Sequence, residues 1–219
     1  MKPTIVETLD GSHTLYLADI DEHYHSTNGA FEESLHVFIR AGFDQCLKTT
    51  PVVFEVGFGT GLNALLTALR SAERKIKTTY ITIEKYPLDN QLLSALNYPS
   101  LTGYGAEAIF HLIHQSRWNE TVRITDWFEI QKIHGDIQTY DPALQADVIY
   151  FDAFAPSKQP EIWCHEVFEK MAAILTRGGT LVTYSAKGEV RRILQSNGFV
   201  VDRLPGAKGK REMIRAVRI

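Results

Sequence analysis

Hydrophobic and polar positions along this chain follow two periods, one of two residues and one of three to four. Residues 4–9 and 13–18 alternate on either side of Asp10-Gly11, a favoured turn pair, and predict a β-hairpin. Phe31, Leu35, Phe38 and Ile39 fall at i, i+4, i+7 and i+8 and predict a helix with Asn28 as its cap. From Pro51 onward the two periods take turns. Strands are predicted at 52–55, 79–84, 122–125, 128–134, 146–152, 179–185, 199–203 and 211–218. Between them, Leu62, Leu65, Leu66 and Leu69 stripe one helix, and helical spacing returns at 88–96 and 106–114. Strands alternating with helices imply right-handed crossovers and a mainly parallel sheet. The last two strands are joined only by residues 205–210, too short for a crossover, so that pair is predicted antiparallel.

The first strand leads into Glu55-Val56-Gly57-Phe58-Gly59-Thr60-Gly61-Leu62-Asn63. Glycines at alternate positions let a backbone turn sharply and approach a ligand with no Cβ in the way. At the end of a first parallel strand, that marks a nucleotide-type site at a topological switch point. The Gly-x-Gly-x-Gly spacing, with an acid before it, favours a ligand with an amino acid tail, S-adenosylmethionine, over one with a pyrophosphate. Three further acids end three further strands. Glu84 is placed to accept hydrogen bonds from ribose hydroxyls. Asp136 is placed to take an exocyclic adenine amine, with Ile137 packed on the ring. Asp152 closes a strand apolar enough to be central. One acid at a strand end is more often a cap or turn former; four after four strands point to a site.

After Asp152 the chain reads Ala153-Phe154-Ala155-Pro156-Ser157-Lys158-Gln159-Pro160-Glu161-Ile162-Trp163, a stiff amphipathic wall beside the expected methyl group. A protonated amine has no lone pair with which to attack a sulfonium methyl. A carboxylate at Asp152 could hold the amine, orient that lone pair and help remove the proton. Phe154 and Trp163 could stack on a base, and Trp163 reads equally well as an ordinary core aromatic.

Composition narrows the class. The 219 residues are 44% hydrophobic and 22% charged, suited to one globular domain over 1–219, with an extension or lid at 1–50 and a core at 51–219. No apolar run approaches the ~20 residues of a membrane span. The start Met1-Lys2-Pro3-Thr4 lacks a leader's apolar core. Cys46 and Cys164 are isolated, so a cytoplasmic protein with reduced thiols is expected. The pairs His23/His25 and His111/His114 lack a third ligand, and no metal is expected. Net charge is −3, yet residues 186–219 hold nine basic and three acidic side chains, against three basic and eight acidic in residues 1–50. Lys187, Arg191 and Arg192, with Lys208, Lys210 and Arg211, form the candidate phosphate-binding patch; a merely solvated face is the bland alternative.

These motifs have a family likeness. Tyr24-His25-Ser26, Gly29-Ala30, Glu33-Ser34, Val37-Phe38, the glycine loop, Glu84-Lys85-Tyr86-Pro87-Leu88, Gly135-Asp136-Ile137, the Asp152 loop, Gly178-Gly179-Thr180-Leu181, Val190-Arg191-Arg192 and Gly209-Lys210-Arg211-Glu212-Met213 resemble the methyltransferase domain of the MnmC family. The likeness runs from about residue 24 to 215, is weaker between Leu96 and Val122, and has Arg177 where a proline often stands. It implies a Rossmann-like S-adenosylmethionine-dependent methyltransferase fold. It also implies methyl transfer to the primary amine of 5-aminomethyl(-2-thio)uridine at the wobble position of a tRNA anticodon stem-loop. In many bacteria that domain is fused to an FAD-dependent oxidoreductase; here a stand-alone version with no FAD domain is expected. Carried over, Glu55, Gly57, Gly59 and Asn63 fall at the cofactor's amino acid end, Glu84 at its ribose, and Asp136 with Ile137 at its adenine. Asp152 falls at the amine, with Phe154, Pro156 and Lys158 at the substrate mouth, and Tyr24, His25, Ser26 and Glu33 in a lid. Two competing readings are a methyltransferase of small free amines, which needs no basic surface, and a non-catalytic adaptor that keeps the fold to bind RNA or protein.

Overall fold

The computed structural model describes residues 3–103 and 105–219. Eight strands form one sheet: β4 (Val52–Val56), β5 (Thr78–Glu84), β6 (Thr121–Thr125), β7 (Phe128–His134), β8 (Ala146–Phe151), β9 (Leu175–Thr183), β10 (Phe199–Pro205) and β11 (Glu212–Arg218). Their order is β10-β11-β9-β8-β4-β5-β7-β6. The inner five, β9-β8-β4-β5-β7, are parallel, while β6 at one edge and β11 near the other run antiparallel to their neighbours. The chain leaves β4 toward β5 and later returns to β4's other side as β8, so the order reverses at β4. A crevice opens at the carboxyl ends there.

Strand alternation supplies the two faces of the core. Phe54, Val56, Ile149, Phe151 and Leu181 pack with Val167, Phe168 and Met171 of α6 (His165–Ile174) and with Val190 and Leu194 of α7 (Gly188–Ser196). Val53, Tyr80, Ile130, Val148 and Tyr150 face the other way, toward Ala64 and Ala68 of α2 (Leu62–Arg74) and Ile113 of α5 (Ala106–Gln115). All six residues of β8 are buried, and its apolar run at 148–151 suits a central parallel strand.

The helix expected at 88–96 is shorter, α3 (Asn90–Ser94), and a second, unexpected short helix, α4 (Tyr98–Thr102), follows it. The strand expected from 179 starts at Leu175, directly after α6. It bulges where Gly178 takes a positive φ of 77°, and the register against β8 shifts there.

The N-terminal segment folds as a three-stranded sheet, β1 (Thr4–Glu7), β2 (His13–Leu17) and the two-residue β3 (Glu22–His23), followed by α1 (Ala30–Ser34). Asp10-Gly11 is not a two-residue turn: Glu7 pairs with His13, leaving residues 8–12 as the loop. Asp10 spends its side chain elsewhere. Burial pushes its carboxyl up, but hydrogen bonds from Ser12, the Glu32 N–H and Thr8 outweigh that and hold it below the usual range. Nor does Asn28 cap α1. The cap position is Gly29, at φ 144°, and the free N–H groups of Ala30 and Phe31 donate to Ser12 Oγ, both at 3.1 Å, while that of Glu32 donates to Asp10. The helix is therefore capped from a distant loop, which joins hairpin and helix into one unit. Beyond Ser34 it widens into a π-helical turn, Leu35–Arg40, and the buried face becomes Val37, Phe38 and Ile39 instead of the simple four-residue stripe.

Ser12 is fully buried and serves two N–H groups, so Ser12→Ala leaves Phe31 without that acceptor and Ala30 with only Thr8 Oγ1 at 3.4 Å. We expect a loss of about 1–3 kcal/mol, a fall in melting temperature of roughly 2–4 °C per kcal/mol, and faster amide exchange at Ala30 and Phe31. An unchanged melting curve contradicts this capping role.

Candidate active site

A cavity of about 960 Å³ opens at the carboxyl ends of β4, β5, β7 and β8. Its floor is the glycine loop. Gly57, at φ 91°, lies so close to the next strand that a Cβ there would stand 2.5 Å from the Asp152 carbonyl oxygen. Gly59, at φ 48°, lies under the Tyr24 ring, which a Cβ would meet at 3.1 Å. Glu84, at the end of β5, accepts the N–H groups of Gly59 and Tyr86, one on each oxygen, which pins the loop to the next strand. Farther along the same wall are Gly135, Asp136 and Ile137. The Asp136 carboxylate pairs with Lys85 Nζ at 2.8 Å and accepts the Gln138 N–H. Its partial burial acts upward, yet Lys85 and that N–H hold its pKa below the usual range.

At the other end of the cavity sits Asp152, whose Oδ2 accepts from Asn63 Nδ2 at 2.8 Å. Burial pushes this carboxyl up to about 7, with the charge of Glu33 adding to the rise; Asn63 and Lys210 act against it. The other hydrogen of the same amide goes to Glu55 Oε1 at 3.0 Å, and Glu55 Oε2 accepts from Thr82 Oγ1 at 2.8 Å. Glu55 is 1% exposed and Asn63 3%. Burial raises the Glu55 carboxyl to about 8.

Most expected residues meet in this one cavity: Gly57, Gly59, Glu84, Asp136, Ile137, Asp152, Phe154 and Lys158 line it. Others do not. Glu55 and Asn63 stand behind the wall, because strand alternation sends Glu55 with Val53 toward α2 and away from the cavity. Pro156 lies in the loop outside it. Trp163 is a core aromatic, 5% exposed, and braces that loop by donating its indole N–H to the Phe154 carbonyl at 2.7 Å.

The basic cluster divides. Lys187, Lys208 and Arg211 are exposed. Lys187 follows β9, and the 206–211 loop follows β10, which runs parallel to β9, so both stand on the carboxyl rim of the sheet. Lys210 turns inward instead. Its ammonium is 2.6 Å from the buried carboxylate of Glu33 and 3.9 Å from the centre of the Tyr184 ring, which removes it from the surface patch. Burying Glu33 without a cation would be costly, and Lys210 supplies that cation.

The N-terminal segment covers this end. Tyr24 packs edge-on against Phe154 at 5.0 Å, and His25 Nε2 is 2.7 Å from Thr60 Oγ1 in the glycine loop. Burial lowers the His25 imidazole to about 4, so it is neutral. Tyr184 is a site residue that the motifs do not point to. It follows β9, lines the cavity, and donates its hydroxyl to the Ala153 carbonyl at 2.9 Å. The strand-end rule that picks out the four acids finds it once aromatics are admitted to the rule. Among the described residues no helix is long and apolar enough to cross a membrane.

A family model described as S-adenosyl-L-methionine-dependent methyltransferase matches residues 107–219. The tRNA 5-methylaminomethyl-2-thiouridine biosynthesis bifunctional protein MnmC of Cupriavidus metallidurans is 34% identical over 227 aligned positions, which cover 94% of this chain and 32% of that protein. Its counterpart in Methylobacillus flagellatus is 32% identical, covering 91% and 33%. The chain thus spans about a third of the length of these curated relatives. Among solved structures, MnmC2 from Aquifex aeolicus superposes with a TM-score of 0.81 at 26% identity, over 98% of this chain and 69% of that one. Spermidine synthase from Thermotoga maritima, at TM-score 0.56 and 10% identity, covering 99% of this chain and 72% of that one, shares the fold alone.

Asp152 and Glu55 both titrate far above the ordinary carboxylate range. Stability is therefore highest below about pH 4, where these carboxyls are neutral in the unfolded chain as well, and it falls as pH rises until they ionise in the fold at about 7 and 8. Asp152→Asn should therefore raise the melting temperature at about pH 8.5, and by only about half as much at about pH 5.5. Scanning calorimetry at both pH values checks this; no gain on the alkaline side contradicts the buried setting of Asp152.

Proposed function

The chain belongs to the S-adenosyl-L-methionine-dependent methyltransferases, in the family of the MnmC methyltransferase domain, and from that premise we propose that it methylates a wobble uridine of tRNA. The acceptor in this reading is the primary amine of 5-aminomethyluridine or its 2-thio counterpart, and the product is the 5-methylaminomethyl base. The observation that carries it is Asp152: an enclosed carboxylate, fixed by Asn63 on one oxygen, facing the same cavity as the glycine loop.

The residues present suit the cofactor. The loop, with no Cβ at Gly57 and Gly59, would take its amino acid tail, Glu84 its ribose hydroxyls, and Ile137 with Asp136 its adenine. Bound there, S-adenosyl-L-methionine supplies a methyl group on a positively charged sulfur, which an amine lone pair can take up. The protein's task is then to present an amine with that lone pair free. A carboxyl near 7 is about half ionised at neutral pH, so Asp152 is poised to accept a proton from the acceptor nitrogen and return it to solvent. Phe154 and Tyr24 wall the cavity between loop and acid and exclude water. In this reading residues 1–50 form a lid on a core at 51–219, in a cytoplasmic protein.

A tRNA is far larger than the cavity and must be held outside it. The exposed Lys187, Lys208 and Arg211 on the carboxyl rim support a phosphate-binding role there. Lys210 is excluded from that role by its pairing with Glu33.

Asp152→Asn should lower kcat by about a hundredfold or more while affinity for S-adenosylhomocysteine, measured by calorimetry, is retained. Retained turnover would make Asp152 structural. Replacing Lys187, Lys208 and Arg211 by alanine should raise KM for tRNA and flatten the salt dependence of binding by roughly 0.7 to 0.9 for each phosphate no longer neutralised. Unaltered tRNA affinity and salt slope would move the RNA surface elsewhere. Methylation of free small amines at the same rate as tRNA would favour the small-amine reading, and a wild-type protein that methylates neither would favour the adaptor.

A further inference from the structure

Glu55 is the acid of the glycine-loop motif, yet it makes no wall of the cavity, and both its oxygens are taken by protein donors, Asn63 Nδ2 and Thr82 Oγ1. Asn63 stands between two carboxylates, with one hydrogen of its amide on each. An amide whose nitrogen faces an acceptor on either side cannot flip, because a flip would set its oxygen against a carboxylate oxygen. Its own Oδ1 is left enclosed without a partner among the described residues. An unpaired buried acceptor costs about 1–3 kcal/mol. The fold bears that cost to keep the amide aimed at both acids.

We infer that Glu55 is a positioning residue for the acceptor side: it holds the Asn63 amide, which fixes one oxygen of Asp152 and leaves the other to face the amine, and it does not touch the cofactor. The inference rests on the amine-facing role of Asp152 proposed above. It reassigns the motif's acid from binding to the orientation of a proton acceptor one residue removed. Such orientation matters, since misplacement by an ångström can cost about a hundredfold in rate.

The ionisable groups packed around the pair are few. Tyr80 of β5 and Tyr150 of β8 face Glu55, and burial pushes both phenols up. Glu33 of α1, Lys210 of the 206–211 loop and Tyr184 after β9 face Asp152, with Glu33 and Lys210 neutralising one another. Burial keeps the phenols neutral at working pH, so the titration that reaches Asp152 through Asn63 is that of Glu55, near 8.

Two variants test this in the whole chain. Glu55→Gln keeps an acceptor for Asn63 and removes the titration. Its affinity for S-adenosylhomocysteine should be unchanged by calorimetry, its kcat at neutral pH retained, and the inflection near pH 8 in the wild-type kcat profile absent. Glu55→Leu frees the Asn63 amide; with cofactor affinity retained, kcat should fall by about ten- to a hundredfold. A tenfold loss of cofactor affinity in Glu55→Gln would overturn the inference and return Glu55 to cofactor binding. So would an alkaline inflection that persists in Glu55→Gln, or a folded Glu55→Leu protein with unchanged kcat. If Glu55→Leu does not fold, the affinity and pH profile of Glu55→Gln decide alone. Failure of the functional reading shows separately, as full turnover in Asp152→Asn.

Discussion

The site depends on one close approach, between the carboxyl ends of β4 and β8. Asp152 donates its backbone N–H to the Val56 carbonyl at 2.9 Å, and its own carbonyl fills the space where any side chain at position 57 would begin. Gly57 also donates to the Ile83 carbonyl, which ties the same turn to β5. Three strands are thereby held in register at the point where the strand order reverses. The glycine loop, Glu84 and Asp152 follow from that closure, because each ends a strand or comes directly after one whose end is already placed. A side chain at 57 would push β4 from β8 and separate the loop from the acid.

The same closure explains why two carboxylates remain in the interior. Burying an acid costs free energy unless it is paired or neutral, and neither Glu55 nor Asp152 has a cation bonded to it. What they have is a shared amide, a threonine hydroxyl and the fields of nearby groups. A hydrophobic pair of similar shape would stabilise the sheet better. In the function proposed above, retaining two acids here trades stability for a proton acceptor whose affinity lies near neutrality. By contrast Glu33, equally enclosed, is neutralised directly by Lys210, and its role is to dock α1 onto the C-terminal hairpin loop.

The strands were legible because their periods are clean and their ends carry glycines and acids; β8 reads as central from its apolar run alone. The four acids were found by position, and three of them face the cavity. Glu55 could have been separated from the others, since it shares the parity of Val53, whose face packs on α2. What local sequence could not show was partnership at a distance. Ser12 and Asp10 cap a helix some twenty residues on, Lys210 is drawn inward by Glu33, and Trp163 donates back to Phe154. In each case a polar group chose a partner that only the folded chain brings near. The π-helical turn at Leu35–Arg40 is of the same kind: tertiary packing on Phe38 and Ile39 overrides the spacing of the segment's own apolar residues.

The link between α1 and the hairpin loop has a consequence for how the protein comes to be made. His36 contacts the Pro205 carbonyl across 169 residues of sequence, and Glu33 meets Lys210 beside it. A ribosome delivers the N-terminal segment first, so Glu33 waits without its cation while every strand from β4 to β10 is synthesised. Before the 206–211 loop emerges, Leu15, Ala30 and Ile39 can already pack on Leu62, Leu65 and Tyr98, but Glu33 still lacks the Lys210 ammonium. Order of synthesis thus becomes order of assembly for this contact: the tie between α1 and the C-terminal loop is the last to form, once both of its halves exist.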